Sequence, residues 1–122
     1  MSFDLTRMED GEVFSCSNIQ WGMILEAAEY CGWEPNGTQL VDEDGNEAED
    51  WDGAYDSNEG QIVNEIDAEN IAKTLENGLK NKADLLASTQ FIEDDLPFIT
   101  NFINWSRIEE NGELFAVGYE LF

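Results

Sequence analysis

The sequence predicts an α+β fold: a small antiparallel sheet, made of an N-terminal hairpin and a C-terminal strand, packed against about three helices. Three observations predict it. Both ends of the chain alternate apolar and polar residues with the period of a strand. Between them, apolar residues recur at helical spacing behind recognisable caps. The order is strand, strand, helix, long acidic loop, helix, helix, strand, which groups like elements instead of alternating them.

Phe3 and Leu5 alternate with Asp4 and Thr6, Glu9-Asp10-Gly11-Glu12 is a turn signal, and Val13–Cys16 is a second short extended run, so a hairpin is expected. Ser17 followed by Gln20 is a capping box, because each side chain can bond the other residue's backbone N–H. Trp21, Ile24, Leu25, Ala28 and Cys31 then follow at helical spacing, and Gly32 is a natural stop. Glu34-Pro35-Asn36-Gly37 reads as a turn. Asn64 caps a second helix with Asp67 near its positive end, and Ile71, Ala72, Leu75 and Leu79 form its apolar stripe. Gly78 weakens that helix, so a bend or end is expected near Lys82, before a second amphipathic piece around Leu85 and Leu86. Pro97 in a first turn starts another helix, with Ile99, Phe102, Ile103 and Ser106 on one face and Phe98 and Trp105 widening it. Asn111-Gly112 is a turn. Phe115, Val117, Tyr119 and Leu121 then alternate with Ala116, Gly118 and Glu120 as one half-buried strand.

A chain of 122 residues fits one domain, 1–122, with a long acidic loop at about 39–63. Four Trp, seven Phe and three Tyr are enough to fill a core, which argues against disorder despite the charge. That charge is the outlier: 28 Asp or Glu against five Lys or Arg, a net of -23, with no base between Arg7 and Lys73. Such a field repels nucleic acid and anionic membranes and favours basic protein surfaces or divalent cations. No basic start precedes an apolar run, and no apolar run has spanning length, so a cytoplasmic protein is expected, with Cys16 and Cys31 as reduced thiols. The sequons at Asn36 and Asn104 are then without consequence.

Histidine is absent, and with it the commonest general base and transition-metal ligand. No nucleophile elbow, P-loop or dinucleotide fingerprint occurs. The reading is therefore non-enzymatic. A carboxylate-only hydrolase is the second alternative, because glycosidases need just two acids. Cys16, just before a helix N-terminus, is either a reactive thiol or a small apolar packing group; without a histidine to activate it, packing is favoured.

Twelve acids fall between Asp42 and Glu69, with Gly45, Gly53 and Gly60 among them. Asp42, Asp44, Asp50, Asp52 and Asp56 are hard oxygen ligands of the kind that bind Ca2+, which makes a Ca2+ module the first alternative; otherwise no cofactor is expected. The EF-hand template misfits. From Asp42 or Asp50 glycine falls at position four, and from Asp56 at position five, although Asn58 and Asp67 then stand at ligand positions. Trp51 and Tyr55, with Asp50, Asp52 and Asp56 around them, are candidate anchors for a protein partner; the alternative is that both rings fold back over the core.

Trp21-Gly22, Leu25, Ala28, Gly32-Trp33, Pro35 and Gly37-Thr38, with Tyr55, Ser57-Asn58, Gly60-Gln61, Val63, Asp67-Ala68, Ala72 and Leu75-Glu76, resemble a group of small acidic uncharacterised bacterial proteins. The resemblance spans roughly 21–79 and rests mostly on capping and turn chemistry. It implies a bacterial cytosolic setting and carries no activity with it; the acids at Asp42–Asp52 look like an elaboration on the group's pattern. The best functional reading is an acidic interaction module of the inhibitor, immunity or DNA-mimic type, docking on a basic partner.

Overall fold

The computed structural model describes residues 2–34, 55 and 61–121. β1 (Ser2–Arg7) and β2 (Val13–Ser17) form the expected hairpin, with Leu5 opposite Phe14 and Phe3 opposite Cys16. β6 (Tyr119–Leu121) pairs with the other side of β1, and β3 (Gln61–Val63) pairs with β6. The result is a four-stranded antiparallel sheet in the order β2-β1-β6-β3. The strand β3 corrects the expected loop boundary: its last residues supply an edge of the sheet, with Val63 fully buried.

α1 (Asn18–Tyr30) begins at the capping box. The Ser17 hydroxyl accepts from the Gln20 amide at 3.0 Å, and the Gln20 side chain accepts from the Ser17 amide at 2.9 Å. It ends in a Schellman turn: Gly32 has φ +110, its N–H donates to Glu29, and the Trp33 N–H donates back to Ala28 at 2.9 Å. α2 (Glu65–Lys80) is capped by Asn64 and runs through Gly78, where an added Cβ would lie 2.7 Å from the Cys31 sulfur. This glycine lets the end of α1 approach α2 closely. The helix stops at Asn81, and α3 (Lys82–Ser88) follows, then a 3-10 turn at Glu93–Asp95 and α4 (Leu96–Ser106). The four buried residues of α4 are Ile99, Phe102, Ile103 and Ser106, the face read from spacing.

The C-terminal strand is the second correction. It is two strands: β5 (Glu113–Ala116) pairs with β4 (Arg107–Glu110) in a separate hairpin, and β6 joins the main sheet. Asn111 (φ +55) and Gly112 (φ +81) form the primed turn that two-residue hairpins require. Between the strands, Val117 donates to Ser106 and Gly118 accepts from Met8, so the chain crosses from one sheet to the other. A Cβ on Gly118 would meet the Val63 carbonyl at 3.1 Å. The crossing shifts the alternation by one residue: Ala116 is buried, while Phe115, expected inward, is 37% exposed.

One face of the sheet, presenting Phe3, Leu5, Tyr119 and Leu121, packs on the helices. Trp21 is the centre of the aromatic core, with Phe3, Phe102 and Tyr119 rings 6.0–6.3 Å away. The hydroxyl of Tyr119 is buried and has no hydrogen-bond partner among the described residues. An unsatisfied buried hydroxyl costs about 1–3 kcal/mol, so Tyr119→Phe is expected to raise the unfolding free energy by about 1 kcal/mol in urea titration. A loss of similar size would show that the hydroxyl is bonded in solution.

Candidate functional site

Asp67 is one of two buried polar residues among those described, and its side chain is fully enclosed. Its placement follows from helical spacing. Asp67, Ile71 and Leu75 lie four residues apart on one stripe of α2, and all three are buried. The Asn64 cap fixes this first turn by accepting from the Asp67 amide at 2.9 Å. The carboxylate then receives two donors from distant parts of the chain. The Trp33 indole N–H donates to one oxygen at 3.2 Å, and the Tyr55 hydroxyl donates to the other at 2.5 Å. The two rings stack with centroids 6.2 Å apart and planes 17° apart. The Trp21 indole donates to the Tyr55 carbonyl at 2.8 Å, so Tyr55 is held through ring, hydroxyl and backbone.

The position of the carboxylate at the third residue of α2 adds the positive end of the helix to these donors. Asp67 and Tyr55 in turn act on Tyr119: burial pushes that phenol well above its ordinary value, and the charges of Tyr55, Asp67 and Cys16 add to the shift.

This geometry changes the reading of the candidate residues. Tyr55 is 1% exposed, so it is a core ring and not a surface anchor for a partner. The physical reason is its double attachment to Asp67 and Trp21. Asp67, the far ligand position in the register starting at Asp56, is already engaged by an indole and a phenol, and both oxygens face the core. Asp42, Asp44, Asp50, Trp51, Asp52 and Asp56 lie outside the described residues. Among the described residues, no group of three acidic or sulfur side chains is arranged to hold a metal ion. The partnership of Trp33 with Asp67 was missed in the sequence, although the i, i+4 spacing of Asp67 to Ile71 was its signal.

Cys16 and Cys31 are both free thiols. Cys16 sits beside the start of α1, where the helix dipole favours a thiolate, but burial and then Asp4 push its pKa up to about 11. Burial therefore wins over the dipole. Burial, with Asp84, also raises Cys31.

Two of the grooves on the described surface are walled by α2. One, of about 350 Å³, lies between the end of α1 and the α2–α3 junction, lined by Tyr30, Cys31, Asn77, Gly78, Asn81 and Asp84 among others. The other, of about 400 Å³, lies between the first turns of α2 and β5, lined by Glu65, Ile66, Glu69, Asn70, Phe115 and Ala116. No helix among the described residues is long and apolar enough to cross a membrane. No family model matches the chain, and neither a curated protein nor a solved structure matches it.

A thiol whose folded pKa is about 11 against an ordinary 9.0 supports folding below pH 9 and loses that contribution as pH rises through 11. Stability is thus expected to fall between pH 9 and 11, and less steeply in Cys16→Ala. At pH 8, iodoacetamide should modify Cys16 in the folded protein at least about tenfold more slowly than in urea, read by mass spectrometry. Equal rates would contradict the burial account.

Proposed function

We propose that this protein is a non-enzymatic acidic interaction module that docks on the basic surface of a protein partner. The observation that carries this reading is how the few cations are used. Arg107 lies against Glu76 at 2.6 Å and Glu69 at 3.7 Å. Arg7 is paired with Asp10 and bonds the Trp105 carbonyl at 2.6 Å, and Asp10 is held below its ordinary value by that arginine. Both guanidiniums are therefore neutralised by the protein's own groups. The other three bases, Lys73, Lys80 and Lys82, are confined to α2 and the start of α3. A net charge of -23 is then carried by a surface with little cationic relief. Such a field steers cationic partners and repels phosphate-bearing ones.

Protamine is a suitable cationic probe. Its affinity for the folded protein, measured by calorimetry, is expected to weaken by about tenfold or more between about 50 and 300 mM salt. No binding at the lower salt, or binding indifferent to salt, would overturn the reading.

A further inference from the structure

Among the described residues, the hairpin of β4 and β5 has an unpaired edge at β5, and the hairpin's own register marks which backbone groups face it. In a two-residue hairpin the closing pair, here Glu110 with Glu113, is hydrogen-bonded across the strands, and successive pairs alternate. Leu114 and Ala116 therefore point their N–H and C=O groups away from β4. Ala116 confirms the phase: its N–H donates to the Glu69 carboxylate of α2 at 2.8 Å. No described residue bonds the corresponding groups of Leu114. The groove of about 400 Å³ lies beside the Phe115–Ala116 end of this edge. Ile66 in the groove is 58% exposed, and Leu114, the strand neighbour of the groove residue Phe115, is 65% exposed. The groove's charged lining groups are Glu65 and Glu69, with Glu113 following on β5, and no base lines it.

We propose that this edge is a docking site for an extended, lysine- or arginine-bearing segment of a partner protein, which adds a strand to β5. The backbone of Leu114 supplies the open ladder positions, one aliphatic side chain of the segment rests on Ile66, and its cations meet Glu65 and Glu113. Glu69 already occupies the Ala116 N–H, so the added strand is short and its register is set at Leu114. Charge selects the occupant: an acidic rim rejects an acidic strand, including a second copy of this chain, by like-charge repulsion. The inference rests on the acidic-module reading and gives it a location.

The probes are a six-residue Lys-Val alternating peptide and a Lys-Gly peptide of the same charge. The Lys-Val peptide is expected to bind at least about tenfold more tightly, because only it has strand propensity and an apolar face. Its binding should shift the amide resonances of Leu114 and Ala116. Leu114→Pro removes the outward N–H without touching a bond to β4 and should weaken Lys-Val binding by about tenfold. Ile66→Ser should weaken it severalfold and guards against misfolding of the proline variant. Equal affinity for the two peptides, or variants indifferent to Lys-Val, would overturn the edge site while leaving the acidic module standing. Failure of protamine as well would remove the module reading itself.

Discussion

A buried carboxylate is the constraint on which this fold turns. Taking Asp67 out of water is costly unless its oxygens find donors, and the donors here come from two distant places in the chain. Trp33 arrives because Gly32 reverses the end of α1, and Tyr55 arrives from the acidic segment between α1 and α2. Satisfying one charge therefore fixes the exit of one helix, the entry of the next and one point of the long connection between them. The stacked rings of Trp33 and Tyr55 cover the carboxylate and join it to the aromatic core through the Trp21 bond to Tyr55.

This arrangement also separates two uses of acidity. Asp67 serves the interior, whereas the exposed acids serve the surface. Glu69 and Glu76 sit between these roles, since they neutralise Arg107 and tie α2 to the β4–β5 hairpin. Glu69 does so twice, through Arg107 and through the Ala116 amide on the edge of β5. The same carboxylate thus blunts part of a strand edge, a usual protection against unwanted pairing, while no described residue covers the part at Leu114.

Local chemistry was legible in the sequence. The capping box at Ser17, the stop at Gly32, the Asn64 cap and the buried face of α4 all rest on interactions within a few residues, and each is found as read. The α+β class followed from them. What was not legible depends on contacts between distant residues. Alternation through Phe115–Leu121 read as one strand because nothing local shows that Val117-Gly118 crosses between sheets. From the sequence Tyr55 fits either a partner anchor or a ring folded over the core, because its sequence neighbours are acidic and the residues that bury it, Trp21, Trp33 and Asp67, lie at least twelve positions away. The groove on β5 was likewise hidden, since one wall is a helix and the other a hairpin some forty residues later.

The central claim is that Asp67 and Tyr55 act as a unit, and a double-mutant cycle measures that unit directly. Unfolding free energies of Tyr55→Phe, Asp67→Ala and the double variant are compared with the native chain. Each single variant breaks the bond between the two side chains, and the double variant removes both groups, so the account predicts a coupling energy of at least about 1 kcal/mol. Additive losses, within about 0.3 kcal/mol, would contradict it.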